Sequence, residues 1–193
     1  MSPTGDAKGE TIPIASDHAG IEMKDRLVAE LKKMGYQPDD IGGKDASKPD
    51  DYPDYAHPLA KEVSEGKAKR GILLCGSGVG MDIVANRYPG VRAALAWEPE
   101  IGELSRKHNN SNVLVLPARF MTDDQAVETM KAWLDAKFEG GRHERRVGHP
   151  HLHGEALAVD LDVEVATDEG AREAAAKLHV LCEEDDVFSV PGA

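Results

Sequence analysis

The sequence predicts an α/β fold in which helices cover both faces of a five-stranded parallel sheet, and a C-terminal extension follows this domain. Over the first ~140 residues, short apolar runs of strand length alternate with longer runs whose apolar residues recur at helical spacing. Strands that alternate with helices form a parallel sheet with both faces covered. Ligands of such sheets bind beyond the carboxyl ends of the strands. The residues that follow each predicted strand are therefore the first candidates for a functional site.

The first elements are predicted from their apolar patterns and from the residues that end them. Residues 12–15 (Ile-Pro-Ile-Ala) are predicted to form a short buried strand. The apolar residues of 21–34 recur near helical spacing, and Gly35 is a typical helix end. A weaker strand is predicted over 37–43, and the residues 45–55 that follow it are predicted to form a polar loop.

The clearest strand of the chain is 71–75 (Gly-Ile-Leu-Leu-Cys), and a glycine-rich turn, 76–80, follows it. Thr122 and Gln125 match a capping box at the start of the last predicted helix. The remaining predicted elements are strands 91–97 and 112–116 and helices 56–68, 81–88, 99–108 and 122–138.

Composition excludes several classes of partner. The formal net charge of −12 argues against nucleic acid and against an anionic membrane. No apolar run approaches the ~18 residues that a membrane span needs, and the N-terminus lacks the apolar core of a secretory signal. We therefore expect a cytoplasmic protein whose two cysteines, Cys75 and Cys182, are reduced thiols.

The chain is predicted to have three parts: a disordered leader at 1–10, a single α/β domain at 11–147 and an extension at 148–193. The extension contains an alternating, strand-like run at 157–165 and a helix-like run at 168–184. It is too small to fold alone, so it packs on the main domain or on a partner subunit, or it stays loose.

The glycine-rich turn is the most informative segment. In Cys75-Gly76-Ser77-Gly78-Val79-Gly80, alternating glycines allow successive backbone N–H groups to converge on an anion, and the next helix adds its positive end. The dinucleotide fingerprint and the P-loop both have other spacings. The turn therefore predicts an oxyanion or phosphate site, with a tight strand-to-helix turn without ligand as the alternative.

Cys75 stands at the start of this turn. A thiol at a helix N-terminus has a stabilised thiolate, so we expect the pKa of Cys75 to be lowered toward the range of a general base. The alternative is a buried core cysteine, which is the commoner role of a lone cysteine. Cys182 is followed by two glutamates and is expected to be inert.

Other candidates follow strands or helices. Asp17-His18 closes the first strand, where Asp17 either orients a reacting group or only caps the next helix. His108-Asn109 closes a helix, where His108 either shuttles a proton or only satisfies helix carbonyls. Arg142 and Arg146 belong to a basic run that is either a phosphate clamp or a solvated cluster, and they share a face if the run is helical.

Taken together, these motifs resemble type B ribose-5-phosphate isomerase, in the family that includes the galactose-6-phosphate and allose-6-phosphate isomerases. The resemblance covers residues 11–147. It is carried by the ordered set Ser16-Asp17-His18-Ala19-Gly20, Asp51-Tyr52-Pro53-Asp54-Tyr55-Ala56, Cys75-Gly76-Ser77-Gly78-Val79-Gly80, Ala85-Asn86-Arg87, Ser105-Arg106-Lys107-His108-Asn109-Asn110-Ser111-Asn112-Val113 and Glu139-Gly140-Gly141-Arg142-His143.

The resemblance implies a Rossmann-like three-layer α/β/α sandwich. It implies a homodimer or homotetramer with active sites shared across the dimer, and a reaction that needs no metal and no cofactor. That reaction interconverts ribose 5-phosphate and ribulose 5-phosphate through a cis-enediolate. An isomerase of a tetrose 4-phosphate or of galactose or allose 6-phosphate remains an alternative, as does a binder of sugar phosphates without activity.

The resemblance also implies roles for individual residues. Cys75 is the base, because Met81 stands where another branch of the family has a catalytic glutamate. Ser77 and the turn residues Gly76, Gly78, Val79 and Gly80 hold the enediolate oxygens. His108 assists ring opening with Asp17 nearby. Tyr52 and Asn109 contact the substrate, and His18, Arg142 and Arg146 bind the phosphate, with Arg119 as a further candidate.

Overall fold

The computed structural model describes residues 9–48 and 50–148. The predicted extension, from His149 onward, and the first eight residues of the predicted leader lie outside this range. The last two leader residues are held by the domain, since the Gly9 amide donates to the Gly35 carbonyl at 3.0 Å and Glu10 pairs with Arg70.

Five strands and six α-helices alternate along the described residues, with one 3₁₀ turn after the first strand. They are β1 (Thr11–Ser16), the 3₁₀ turn (His18–Gly20), α1 (Ile21–Lys33), β2 (Gln37–Asp40), α2 (Pro53–Ser64), β3 (Gly71–Cys75), α3 (Val79–Ala85), β4 (Ala93–Leu95), α4 (Pro99–Asn109), β5 (Val113–Pro117), α5 (Asp123–Asp135) and α6 (Arg142–Val147). The predicted α/β fold with a five-stranded parallel sheet is confirmed.

The strands form one parallel sheet in the order β2-β1-β3-β5-β4. The chain moves outward from β1 to β2 and then returns to β3 on the other side of β1. This reversal places the topological switch point between β1 and β3, where doubly wound sheets bind their ligands. Asp17 follows β1 and Cys75 ends β3, so both residues lie at the switch point.

The two faces of the sheet have separate apolar cores. Alternate strand residues such as Ile72 and Leu74 pack with α1 and α5 on one face. Leu73 and Cys75 point to the other face, where they pack with α2 and α3. The three-layer arrangement that the resemblance implies is therefore present, and the Cys75 side chain belongs to the α2 and α3 side.

Several element bounds differ from those predicted. Helix α2 begins at Pro53 rather than at residue 56, because proline is tolerated at the first helical position. Strand β2 stops at Asp40 because its side chain accepts a hydrogen bond from the Gly42 amide at 3.1 Å, which closes a turn. Helix α5 stops at Asp135, where Arg70 donates to the Leu134 carbonyl at 3.0 Å.

Two further bounds have equally local reasons. Helix α3 begins at Val79, two residues earlier than predicted, because the preceding glycine turns the chain. Strand β4 is reduced to Ala93–Leu95, since it is an edge strand that pairs only with β5. Among the described helices, none combines the length with the apolar character that crossing a bilayer requires.

Candidate functional site

The glycine-rich turn wraps around the sulfur of Cys75. The Gly78 amide donates to Cys75 Sγ at 3.1 Å, and the amides of Met81 and Ser77 also point at the sulfur. Gly78 has φ +78°, a left-handed conformation that favours glycine, and a Cβ there would clash with Leu95 Cδ1. The turn therefore depends on Gly78, and the sulfur faces the turn.

The structure corrects the expected ionisation of Cys75. Burial raises the pKa of the Cys75 thiol, and the negative charge of Asp17 raises this pKa further, while the amides of Met81, Gly78 and Ser77 lower it only in part. The expectation of a lowered pKa was wrong because the side chain is only 4% exposed. A buried thiolate is a stronger base than an exposed one, but less of it forms at neutral pH.

Two predicted site residues are placed against the turn by their contacts with its glycines. A Cβ on Gly80 would lie 2.7 Å from the Tyr52 ring, and a Cβ on Gly76 would lie 3.3 Å from Arg119 Cδ. The Arg119 amide also donates to the Gly76 carbonyl at 3.0 Å. Because Gly80 and Gly76 have no side chain, the Tyr52 ring and the Arg119 guanidinium can approach the turn closely.

Asp17 and His18 lie beside the turn at the end of β1. Asp17 Oδ1 accepts a hydrogen bond from the Ala19 amide at 2.9 Å, so Asp17 does cap the 3₁₀ turn. Burial raises the pKa of Asp17, against the effect of the Ala19 amide and of the positive charges of His18 and Arg119. Capping and a site role are compatible, because Asp17 also acts electrostatically on Cys75.

Asp50 is a site residue that the sequence analysis missed. His18 Nδ1 lies 2.7 Å from Asp50 Oδ1, and the His18 amide donates to the same oxygen at 2.9 Å. Burial alone would raise the pKa of Asp50, but the hydrogen bonds from His18 and from Tyr55 lower it. Asp50 therefore orients the His18 ring. It stands one residue before the motif that begins at Asp51, and no local pattern distinguishes it.

The other predicted site residues lie at the opposite end of the sheet. Helix α4 runs back from the carboxyl end of β4, so His108 and Asn109 come just before β5 begins. The Asn112 carbonyl accepts from the amide of Gly71, the first residue of β3. Cys75 is four residues further along that strand, or about 13 Å. Within one chain, His108 therefore does not lie beside Asp17 and Cys75.

The residues around His108 form what we call the amino-edge cluster: His108, Asn109, Glu139, Arg142, His143 and Arg146. The His108 and His143 rings stack in parallel with centroids 4.2 Å apart. His108 Nε2 lies 3.7 Å from Glu139 Oε2. Burial, followed by the positive charges of His108, Arg142 and Arg146, lowers the pKa of His143. Since α6 is helical, Arg142 and Arg146 share one exposed face.

Comparison with known proteins identifies the family. A family model described as Ribose/Galactose Isomerase matches residues 12–149, more than two thirds of the chain. This chain belongs to the ribose/galactose isomerase family. Membership of this family makes the protein an aldose–ketose isomerase. This is the activity that the resemblance described above implies.

Three members of the family illustrate its range. The chain is 42% identical to ribose-5-phosphate isomerase B of Escherichia coli over 136 residues, which cover 70% of this chain and 91% of that protein. It is 41% identical to D-erythrulose-4-phosphate isomerase of Pectobacterium atrosepticum over 131 residues, covering 68% and 86%. The crystal structure of ribose-5-phosphate isomerase B from Mycoplasma genitalium with bound ribulose 5-phosphate is 40% identical, with a TM-score of 0.70 and coverage of 72% and 93%.

Within the part of this isomerase that the structure describes, two groups of side chains have the donor types of a metal site. The first group consists of Asp17, His18 and Asp50, and the second group consists of His108, Glu139 and His143. In each group the possible ligand atoms lie within 4.8 Å of one another. In the first group the atoms are already engaged with one another and with a backbone amide. In the second the rings are parallel, so their in-plane lone pairs do not converge on a single ion. Metal independence stays a prediction.

Proposed function

We propose that the chain interconverts ribose 5-phosphate and ribulose 5-phosphate in the cytoplasm, with no metal and no cofactor. The observation that carries this proposal is the Cys75 sulfur within a ring of backbone amides at the switch point of the sheet. A reduced thiol is required, which suits the cytoplasm. The relative whose crystal structure contains ribulose 5-phosphate supports a five-carbon substrate.

The proposed proton transfer uses one base on one face of the open-chain sugar. The Cys75 thiolate removes the proton from C2 of ribose 5-phosphate, which leaves a cis-enediolate. The resulting thiol returns the proton to C1, and a proton moves from the C2 hydroxyl to the C1 oxygen, which yields ribulose 5-phosphate. The turn amides and the Ser77 hydroxyl stabilise the enediolate oxygens, and one such donor is typically worth about 10²–10³ in rate.

The second proposed step is ring opening, which must precede the proton transfer because the closed sugar has no carbonyl. His108 acts as the acid–base group for this step. Asn109 contacts the sugar hydroxyls, and Arg142, Arg146 and His18 hold the phosphate. Binding of the distant phosphate keeps the reacting carbons in place.

A homodimer with shared sites reconciles the two ends of the sheet. The carboxyl edge of the sheet carries Cys75, Ser77, Asp17, Tyr52 and Arg119. The amino edge carries His108 and the arginines of α6. No single chain can place both groups on one small sugar, because a strand length separates them. We therefore propose that each site combines the carboxyl edge of one subunit with the amino-edge cluster of its partner.

Exposed apolar side chains at the carboxyl edge support this assembly. Val79 and Ile83 lie on the outer side of α3, at 48% and 52% exposure, and Trp97 after β4 is 52% exposed. Phe120, three residues after the end of β5, is 74% exposed. Exposed apolar side chains mark an interaction surface where they form one contiguous patch. Their position on the elements that surround the glycine-rich turn fits a partner subunit that closes the site.

A tetrose 4-phosphate is the second candidate substrate. It is favoured by the erythrulose-4-phosphate isomerase relative, which is about as similar to this chain as the ribose-5-phosphate isomerases are. The phosphate clamp and the thiol are common to both activities, and only the length between them differs. Galactose or allose 6-phosphate would require a longer site, and a binder without activity would not need the thiol base.

A turnover assay across phosphorylated aldoses tests the proposed substrate. Erythrose 4-phosphate, ribose 5-phosphate, allose 6-phosphate and galactose 6-phosphate are compared by kcat/KM under the same conditions. We expect ribose 5-phosphate to give the largest value. A larger kcat/KM for the tetrose or for either hexose would show that this sugar, and not the pentose, is the preferred substrate. No turnover of any of the four sugars would contradict the proposed activity.

The raised pKa of Cys75 predicts activity that increases with pH. Below the thiol pKa the fraction of thiolate rises about tenfold per pH unit, so kcat/KM should climb from pH 7 through pH 9. The rate of Cys75 alkylation by iodoacetamide, followed by mass spectrometry, should rise in parallel. Cys182→Ser serves as the control that removes the second thiol. An alkylation rate that levels off below pH 8 would show that the thiol pKa is not raised.

Arg142 is expected to contribute mainly to substrate binding. Loss of one charge-assisted hydrogen bond to the phosphate predicts that Arg142→Ala raises KM about 10- to 100-fold, with a smaller change in kcat. Arg87→Ala is the control, since Arg87 is an exposed arginine that lies outside α6 and outside the amino-edge cluster. Equal KM values for the two variants would remove Arg142 from the clamp.

A further inference from the structure

A cavity of about 420 Å³ opens at the amino edge of the sheet. Its walls include residues that come just before strands, such as Glu10 before β1, Arg70 before β3 and Arg92 before β4. None of the site residues that the sequence predicted lines this cavity. It lies at the opposite end of the strands from the glycine-rich turn.

The cavity walls are strongly cationic. Two carboxylates, Glu10 and Asp135, face five cationic side chains, so the formal charge of the walls is +3. The cationic residues are Lys69, Arg70, Arg92, Arg106 and Lys137. The whole chain carries −12, so this concentration of positive charge runs against the average of the molecule.

Among the residues that the structure describes, one of the three arginines, Arg70, pairs with an acid. Arg70 Nε and Nη2 donate to the two oxygens of Glu10 at 3.1 and 2.6 Å, a bidentate pair. The third guanidinium nitrogen of Arg70 is also engaged, since Nη1 donates to the Leu134 carbonyl at 3.0 Å. Both carboxylate oxygens of Glu10 are therefore engaged by Arg70.

Arg92 and Arg106 have no such partner within the described residues, where no carboxylate lies within 4.0 Å of either guanidinium. Arg92 Nε donates to the Asn110 carbonyl at 2.8 Å and Arg106 Nη1 to the Asn110 Oδ1 at 3.1 Å, while Arg106 Nε finds no hydrogen-bond partner there. Burial lowers the pKa of both, and the charges of Arg70 and Arg92 lower that of Arg106 further. A bound anion would relieve this repulsion.

The cavity is distinct from the amino-edge cluster although the two share α4. Arg106 and Asn110 are four residues apart and face the cavity together. His108 is two residues from Arg106, which turns its side chain about 200° around the helix. His108 stacks on His143 instead, and neither residue lines the cavity.

We infer that this cavity binds the phosphate group of a small anion, either free phosphate or a compact phosphate monoester. Guanidinium groups bind phosphate oxygens in pairs, and the Arg92 and Arg106 side chains meet at one residue of the wall, since both donate to Asn110. The half-buried Phe138 ring provides an apolar wall for an organic part. A volume of this size suits a small metabolite. The site would act in addition to the isomerase clamp and does not depend on it.

Calorimetric titration of the full chain with inorganic phosphate tests the inference. The Arg142→Ala/Arg146→Ala double variant removes two of the three residues proposed to hold phosphate at the isomerase site. Phosphate that this variant still binds, and that substitutions in the cavity wall weaken, occupies the cavity. We expect this variant to bind one phosphate per chain. Adding Arg92→Gln should weaken that binding at least about 10-fold, as the loss of a charge-assisted hydrogen bond requires.

The matched control is Arg87→Gln in the same background, because Arg87 is exposed and does not line the cavity. Lys69→Gln/Lys137→Gln provides a second variant at exposed wall residues, should Arg92→Gln fail to fold.

Tighter binding of glycerol 3-phosphate than of inorganic phosphate would indicate that the ligand is a monoester. Equal binding of the two would indicate that the ligand is free phosphate. Absence of phosphate binding in the double variant, or equal binding by the cavity variants and Arg87→Gln, would overturn the inference. Isomerase turnover, measured separately, distinguishes this failure from failure of the proposed function.

Discussion

Cys75→Ala is expected to reduce isomerase turnover by at least about 10³-fold, because the alanine methyl group cannot accept the proton that leaves the sugar. Binding of the phosphorylated sugar should remain within a few-fold of the wild-type affinity. The proposed phosphate contacts come from other residues, and the thiol is only 4% exposed, so it offers little binding surface. Steady-state kinetics and calorimetry with ribose 5-phosphate measure the two effects separately.

Cys182→Ala is the matched control, since it makes the same chemical change at the thiol that is expected to be inert. Circular dichroism of both variants shows whether the fold is retained. Turnover by Cys75→Ala near that of the control would remove Cys75 from the mechanism. A combined loss of turnover and of sugar binding would instead assign Cys75 a structural role within its core cluster.

Heterodimers of Cys75→Ala and His108→Ala subunits are expected to regain about half of the wild-type turnover, although each variant alone is nearly inactive. In a two-fold symmetric dimer with shared sites, one site of such a heterodimer joins an intact Cys75 to an intact His108. The other site lacks both. Co-expression of the two subunits with different affinity tags, followed by purification on both tags, isolates the heterodimer for assay.

The control heterodimer combines Cys75→Ala with Asp17→Ala. Both residues lie at the carboxyl edge of the same chain, so each of its sites lacks one of them and no site is restored. Rescue by His108→Ala but not by Asp17→Ala would therefore report the two-edge arrangement directly. If the Cys75→Ala/His108→Ala heterodimer stayed as inactive as its parents, the shared site would be wrong.

Local sequence patterns were sufficient to predict the sheet and one half of the candidate site. Apolar runs predicted four of the strands, and the weaker predicted strand 37–43 contains the fifth, β2, whose residues are mostly polar. The glycines after residue 75 predicted the turn that surrounds the Cys75 sulfur. These predictions succeed because strand period, glycine conformation and capping depend on residues that are near one another in the chain. The shared face of Arg142 and Arg146 follows in the same way from their spacing of four residues in a helix.

Tertiary contacts decided what local patterns could not. Asp50 reaches His18 from 32 residues away, and burial beside Asp17 raises the Cys75 pKa that the helix N-terminus alone was expected to lower.

By itself, the sequence determined the candidate site residues and the strands that they follow, because both depend on residue type and on short-range spacing. Only the tertiary structure decided that these residues divide between the two edges of the sheet, that Asp50 holds His18, and that three arginines gather around one cavity with a single bidentate carboxylate. The physical reason is that ionisation, charge compensation and proximity depend on groups that the fold brings together from distant parts of the chain.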